Sequence, residues 1–328
     1  MTGNFSNTQN SHPIHFQQRD ESILRAIQSY DGMLTRRQIK AMFWQDASNQ
    51  AMERRLSLLF HNHYLNWPNL EQRRTRPIPE SIIWLGWRGI LHLAEQQTSL
   101  LIGEPKNDSE NQMRMLEARL RKVSIYWLRE PNWNQLAHDI AVNDFRMQVQ
   151  KAVSKLPSIT MEPWQTEGTF RRDMDIISYE FENRSGQKEK MKHGVRPDGF
   201  FTLVDHLRQI NNQPAKARFL VEYDNSTHPL YRFGKQKALP GLNYIRSQAY
   251  RNRFGFNSGR WLVICKSETR VKHLKSQTEY VLGKQASNFL FSIASELNYQ
   301  TVLTSPVWHL GASNSRVSLI NNIGSMPE

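Results

Sequence analysis

The 328-residue sequence predicts an α/β (α+β) chain, helical at its start and built on a mixed sheet in its second half. Three observations carry that expectation. Apolar residues recur at helical spacing through 23–59 and give way to two short apolar runs at 64–67 and 81–85. From residue 159 onward, strand-like runs alternate with helical patterns, the order of a mixed sheet with right-handed crossovers. Two of those runs carry carboxylates at their edges: Asp198 opens 199–204, and Glu222 and Asp224 close 218–224.

Composition sets the class of partner. The formal net charge is +13, and so basic a balance points to a polyanion, DNA first and a membrane surface second. Cys265 is the single cysteine. It rules out a disulfide framework and a cysteine-based zinc site and fits a reducing cytoplasm. No apolar run is long enough to span a bilayer, and 1–18 is polar, without the apolar stretch of a signal peptide. Rich in Asn, Gln, Ser and Thr, 1–18 reads as a disordered tail; its His12 and His15 form no ligand spacing.

Residues 19–98 follow a winged helix-turn-helix rhythm. Ile23, Leu24 and Ile27 give the first helix one apolar face, and Asp31-Gly32 marks a turn. Thr35 caps a second helix that ends near Phe43-Trp44. The third starts near Ser48, with Met52, Leu56 and Leu59 inward and Arg54 and Arg55 outward. Tyr64-Leu65-Asn66-Trp67 and Ser81-Ile82-Ile83-Trp84-Leu85 read as two strands joined by the basic loop Arg73-Arg74-Thr75-Arg76-Pro77, and a helix with Ile90, Leu91 and Leu93 follows. In such a domain the third helix enters the major groove and the loop rides the backbone or minor groove. That singles out Arg36, Arg37, Ser48, Asn49, Gln50, Arg54, Arg55, Arg73, Arg74 and Arg76 as DNA-contacting residues. A helical bundle or a protein-binding winged helix fits the same pattern, and 1–100 is only mildly basic, with eleven Lys/Arg against eight Asp/Glu.

A connector, 99–131, holds a helix over 113–127 with Met115, Leu116, Leu120 and Val123 on one side, for packing or dimerisation. The α/β domain spans 132–310. Its first helix, 133–156, carries Leu136, Ile140, Phe145, Val149 and Val153 inward; Asp139 and Asp144 lie in its first half, as solvated residues or as extra acids for a metal site. Strands at 159–164 and 174–181 and a turn at 184–187 precede the two carboxylate-bearing runs. A helical stretch over 230–254, broken near Pro240-Gly241, comes next, then a buried strand at 260–265. Helices at 271–282 and 288–297, an edge strand from 301–303 and 307–308, and a tail over 311–328 complete the chain.

Carboxylates on adjacent strand ends gather oxygen ligands for a hard divalent cation, and metal-dependent nucleases hold their ion in this way. Asp198 and Glu222 are therefore the candidate ligands for Mg2+. The following stretch, 225–267, has no acid and eight Lys/Arg, among them Arg232, Arg246, Arg251 and Arg253, interleaved with Tyr231, Phe233, Tyr244, Tyr250, Phe254 and Phe256. Such a run neutralises phosphates and can stack on unpaired bases; a solvated face has the same composition. For the acids the bland alternative is an Asx turn at Asp198 and pairing of Glu222 with Arg196 or Arg218.

The segments ILRAIQSYDGMLTRRQIKAMFW, LAHDIAVNDFRM, RPDGFF and FLVEYDNST, followed by a lysine-bearing helix, resemble the replication-relaxation family of prokaryotic plasmid and mobile-element proteins over roughly 20–284. The second half also resembles the restriction-endonuclease-like PD-(D/E)XK nuclease fold, with Pro197-Asp198 as its PD element and Glu222 as the following acid. That resemblance implies a catalytic site of Asp198, Glu222 and a lysine two residues further on, where this chain has Asp224. Lys235 or Lys237 in the following helix would then supply the cation, and Asp224 would assist Asp198 and Glu222 as a further catalytic acid. The family resemblance implies DNA as partner, a homodimer or other replication or transposition proteins beside it, and no membrane. Three functions follow: a DNA-binding replication-control protein on a degenerate nuclease scaffold, a Mg2+-dependent DNA endonuclease, and a protein-interaction adaptor in a nucleoprotein complex.

Overall fold

The computed structural model describes residues 14–45, 48–182, 186–225 and 232–322. The expectations for 1–13, for Arg184-Ser185 of the predicted turn, for 226–231 with Tyr231, and for 323–328 lie outside the described residues. The chain divides into two compact units, 1–140 and 141–328.

In the first unit, α1 (Gln18–Ser29) buries Ile23, Leu24 and Ile27 completely. It ends in the predicted turn, where Asp31 and Gly32 both take positive φ. The sequence reads 34–35 as the start of a helix, whereas Met33–Thr35 form β1, a fully buried strand. Thr35 serves two elements: it closes β1 and caps α2 (Arg36–Phe43). Its Oγ1 accepts the Gln38 N–H at 3.1 Å while its own N–H donates to Gln38 Oε1 at 2.9 Å, the reciprocal bonds of a capping box. Ser48 caps α3 (Asn49–His61), which turns Met52, Leu56 and Leu59 inward as expected. β2 (Leu65–Asn66) and β3 (Ile82–Leu85) pair antiparallel, and β1 joins the far side of β3, giving the order β1-β3-β2.

The basic loop of the sequence reading is largely α4 (Leu70–Thr75). Asn69 and Gln72 exchange side-chain-to-backbone bonds of 2.8 and 2.9 Å, so an Asn-x-x-Gln box nucleates one short turn, which stops before Pro77. α5 (Trp87–Thr98) and α6 (Glu110–Lys122) follow. In α6 the inner face is Met113, Leu116 and Leu120, and Met115, expected inward, is exposed. Trp133, Leu136 and Ile140, the last two from the first turns of α7 (Leu136–Val153), pack with Met33, Ile82 and Trp84.

The second unit is a sheet with helices on both faces. Its strands are β4 (Ile159–Met161), β5 (Gln165–Thr166), β8 (Gly199–Ile210), β9 (Gln213–Asp224), β10 (Arg260–Cys265), β11 (Phe289–Ile293), β12 (Trp308–Leu310) and β13 (Arg316–Val317). The order is β13-β12-β11-β10-β9-β8-β4, with β5 also on β8; β9, β10 and β11 run parallel and the other pairs antiparallel. After β5 comes the short α8 (Glu167–Arg172), then a separate hairpin of β6 (Asp175–Glu182) and β7 (Lys188–Val195). Strand alternation splits the core. Phe219, Val221 and Tyr223 pack with Phe145 and Val149. Leu220 packs on the other face with Leu242, Ile245 and Leu274.

Several element expectations are corrected. The polar interval between the carboxylate-bearing runs is strand: β8 and β9 continue to a tight turn at Asn211-Asn212, both at positive φ, the conformation two-residue hairpins favour. The expected helix at 288–297 is β11, whose buried Phe289, Leu290 and Phe291 form a run too short for its period to decide. Residues 301–303 form a turn, not a strand. Part of the expected tail is ordered: β13 pairs with β12, and Leu319 is fully buried. The helical stretch is not cut at Pro240-Gly241; its winding changes just before them, from a π-helical turn at Gly234–Ala238 to α9 (Leu239–Ile245), with Pro240 in the first turn of α9. The chain turns instead at Ser247, the cap of α10 (Gln248–Phe254), and α11 (Glu268–Leu282) follows β10. Among the described residues no helix is long and apolar enough to cross a membrane.

Candidate functional site

β8 and β9 pair with Gly199 opposite Val221, which sets Asp198 level with Glu222. The Asp198 N–H donates to the Val221 carbonyl at 2.9 Å, and its Oδ2 accepts the Tyr223 N–H at 2.6 Å. Asp198 therefore ties the start of β8 to β9 through both its backbone and its carboxylate. The following glycine has a steric reason: a Cβ at Gly199 would lie 2.3 Å from the indole of Trp164.

Glu222 shares a face of β9 with Leu220 and Asp224. Its partner is Lys237, whose Nζ lies 2.8 Å from Oε1 and 3.0 Å from Oε2; Arg196 and Arg218 are engaged elsewhere. Lys237 sits in a π-helical turn, Gly234–Ala238, that leads into α9. Such turns interrupt helices at functional sites more often than elsewhere. The turn packs tightly on α11, since a Cβ on Gly234 would lie 2.6 Å from the Gln277 carbonyl. The Glu222 charge holds the Lys237 ammonium above its ordinary range; burial opposes this, Asp198 adds to it and the Arg196 charge subtracts. Lys235, in the same turn, lies over the Phe181 ring at 5.3 Å. The structure thus separates the two lysines and brings Lys237 to the carboxylates.

Asp224 stands apart. Arg270 grips it with two bonds, Nε to Oδ2 at 2.5 Å and Nη2 to Oδ1 at 2.8 Å, and both side chains are almost entirely buried. Asp144 acts on Tyr223, whose phenol is raised chiefly by burial and further by that charge; by alternation Tyr223 faces away from Glu222. Asp139 falls in the first unit. Among the described residues no group of three or more His, Cys, Asp or Glu is arranged to hold a metal ion, so the carboxylate centre is the pair Asp198 and Glu222.

Glu167, Arg171 and His193 escaped the sequence reading of this site. Arg196 Nε lies 3.0 Å from Oε1 of Glu167, a buried carboxylate that Arg171 also contacts at 3.1 Å. His193 of β7 is lowered by burial and then by the Lys237 charge. Only the Glu167–Arg171 spacing carries a helical signal; Glu167 and Arg196 meet through the sheet, and no local pattern announces that.

The predicted DNA contacts divide into committed and open residues. Arg55 binds the fully buried Asp20 through Nε at 2.7 Å and a second nitrogen. Arg36 pairs with Glu53 and lies over Trp67, and Arg37 pairs with Glu80 at 3.0 Å. Arg73 Nε donates to the Pro68 carbonyl, and Ser48 caps α3. Asn49, Gln50, Arg54, Arg74 and Arg76 are exposed. In the second unit Arg253 is held by Asp175 and Asp173, at 2.6 and 3.1 Å, while Arg232, Arg246 and Arg251 are exposed. Phe233, Tyr244 and Tyr250 are buried and unavailable for stacking on bases. Phe256 is exposed, with the Arg218 guanidinium 3.2 Å from its ring centroid.

A family model described as Replication-relaxation matches residues 24–259, well over half of the chain. No curated protein and no solved structure matches it.

Proposed function

The chain belongs to the replication-relaxation family, which suggests a role in plasmid or mobile-element replication, and from that premise we propose that it is a DNA-binding protein acting in the reducing cytoplasm. The first unit is read as a winged helix-turn-helix, with α3 as the groove-reading helix and the β2–β3 connection as the wing. One observation carries this. Asn49, Gln50 and Arg54 line the exposed start of α3, and Arg74 and Arg76 stand exposed on the connection, with no ion pair among the described residues. Amides and guanidinium groups on the first turns of such a helix read base edges, and basic connections neutralise phosphates.

The test is binding of the full chain to labelled duplexes over a range of salt concentrations. Steeply salt-dependent binding, weakened by Arg54→Ala and Arg74→Ala, is the expected result. Salt-insensitive binding, or none, would leave the unit as a docking module for a protein partner.

A second reading rests on the Lys237–Glu222 contact: the second unit is a PD-(D/E)XK-type, metal-dependent DNA endonuclease whose lysine comes from the π-helical turn. Mg2+ binds through one or two carboxylates with water and substrate phosphate completing its shell, and the donor pair Asp198 and Glu222 fits that need. When bound, the ion would polarise the phosphodiester and acidify a water. The chain's own part is separable. The Tyr223 N–H fixes Asp198, Lys237 orients Glu222, and the Lys237 ammonium offers positive charge to the oxygens that gain charge as the P–O bond breaks. Incubation of supercoiled plasmid with the protein and Mg2+ or Mn2+, beside Asp198→Ala and Glu222→Ala, decides this. Cleavage lost in both variants supports the enzyme, and no cleavage by the wild type returns the unit to a binding role on a degenerate scaffold.

A further inference from the structure

Arg196, Pro197 and Asp198 form the link between the β6–β7 hairpin and the main sheet, so one rigid tripeptide carries a cation and a carboxylate to the same edge. We propose that Arg196 is the phosphate-gripping residue of the carboxylate site, and that buried Glu167 is its positioning residue. The proposal deepens the nuclease-type reading by naming what holds the DNA backbone there.

The geometry of the guanidinium carries the argument. Glu167 takes its Nε edge at 3.0 Å, no other acid pairs with Arg196 among the described residues, and 48% of the side chain remains exposed. A guanidinium held at Nε keeps its terminal nitrogens as a planar fork, the shape that binds two oxygens of one phosphate. The link is already fixed without Arg196, by Pro197, by the Asp198 N–H on the Val221 carbonyl and by the Asp198 carboxylate, which accepts the Tyr223 N–H.

Glu167 is built as a support. Its side chain is 10% exposed and lies between Arg171 and Arg196, so one carboxylate meets two guanidinium groups and the trio keeps one positive charge. A buried carboxylate needs such pairing; both arginines stay about half exposed, Arg171 at 53% and Arg196 at 48%, and Arg196 is the one that lies two residues from Asp198. The Arg196 charge is felt at Lys237, which sets it within electrostatic reach of the carboxylate centre. A phosphodiester lying on this edge would meet the fork of Arg196 on one side and the Asp198–Glu222–Lys237 group on the other.

The test uses the full chain carrying Arg54→Ala, Arg74→Ala and Arg76→Ala, so that the first unit does not mask the second. Affinity for a short fluorescein-labelled duplex, and for one of its strands, is measured over a salt series with Ca2+ in place of Mg2+. Arg196→Ala should weaken duplex binding about tenfold and lower the slope of log affinity against log salt by about 0.9, the value for one lost phosphate contact. Arg196→Lys should keep the slope and recover only part of the affinity, since the charge returns without the fork. Glu167→Gln should weaken binding without lowering the slope, and Glu167→Asp should recover part of that loss.

A lowered melting temperature for Arg196→Ala with an unchanged salt slope would overturn the proposal and leave a structural tie. Run beside the Mg2+ plasmid assay, the experiment separates it from the reading beneath it. If Asp198→Ala and Glu222→Ala abolish cleavage while Arg196→Ala changes neither slope nor affinity, the grip is wrong and the enzyme stands. If no variant affects cleavage because none occurs, but Arg196→Ala still lowers the slope, the grip stands on a site that binds DNA without cutting it.

Discussion

Lys237 meets Glu222 across fifteen residues of sequence, its Nζ within 3.0 Å of both carboxylate oxygens. The acid lies on a central strand and the lysine in a π-helical turn on the same side of the sheet. Two positions beyond Glu222, where nucleases of the type resembled carry their lysine, Asp224 is bound by Arg270. Lys237 reaches Glu222 from a different element of the fold.

If the second unit hydrolyses DNA, its two lysines differ. Lys237→Met should lower the rate of Mg2+-dependent plasmid nicking by about 100-fold or more, the scale of losing one preorganised charge at a reacting phosphate. Lys235→Met should remain near wild type, since that ammonium lies over Phe181. Equal losses in both variants would assign the lysines to general DNA attraction.

The Asp224–Arg270 pair, 6% and 11% exposed, is a stability element. Arg270→Ala strands a buried carboxylate and should cost about 3–5 kcal/mol in urea unfolding. Replacing both residues with leucine should cost much less, because no charge is left unpaired. A loss in the double variant as large as in the single would point to packing instead.

Neighbouring arginines of α3 should behave oppositely. Arg55→Ala removes the partner of Asp20, which is fully buried, and should destabilise the first unit by about 3 kcal/mol. Arg54→Ala should leave thermal stability unchanged and weaken binding to the preferred DNA site by about 1–3 kcal/mol, with relaxed discrimination at one base position. Parallel melting curves and competition binding separate the two effects.

Alkaline pH should destabilise the second unit. Burial pushes the Cys265 thiol up to about 12, with the Asp224 charge adding to it and Arg270 opposing. Burial also raises the Tyr244 and Tyr250 phenols. In the unfolded chain these groups ionise near about 8.5 for the thiol and about 10 for the phenols. Between those values and the raised native ones the folded state keeps protons that the unfolded state has lost, so stability falls as pH rises. Urea midpoints between about pH 8 and pH 11 should decline, and Cys265→Ala should flatten the early part of the decline. A thiol reagent should label Cys265 only as fast as the unit opens.

Much of the first unit was legible because its cues are local. Thr35 and Ser48 mark helix starts, Asp31-Gly32 marks a turn, and Ile23, Leu24 and Ile27 repeat at helical period. What failed there was also local: Met33–Thr35 is too short a strand to show alternation, and the Asn69–Gln72 box stands just before a run, 73–77, that was read only for its charge. In the second unit Asp198 and Glu222 stood out as acids at the ends of apolar runs, and their registry follows from the hairpin. Their surroundings did not stand out. The choice of Lys237 over Lys235 depends on how one turn is wound, and the Glu167–Arg196 contact joins residues whose only connection is the sheet between them. Phe289–Ile293 was misread because a short, fully buried apolar run suits a strand and a helix alike.

The π-helical turn at Gly234–Ala238 makes the direction of Lys235 a matter of counting. A turn closed by i→i+5 bonds holds one residue more than the α-helix it interrupts. Removing a single residue there, such as the exposed Gln236, would let the segment rewind as α-helix and swing the preceding side chains by about 100° relative to α9. Lys237, which follows the deletion, would keep its direction relative to α9, while Lys235 and the residues before it would turn. A deletion of one codon at this point would therefore re-aim Lys235 and leave Lys237 beside Glu222, while the sheet and its helices keep their fold.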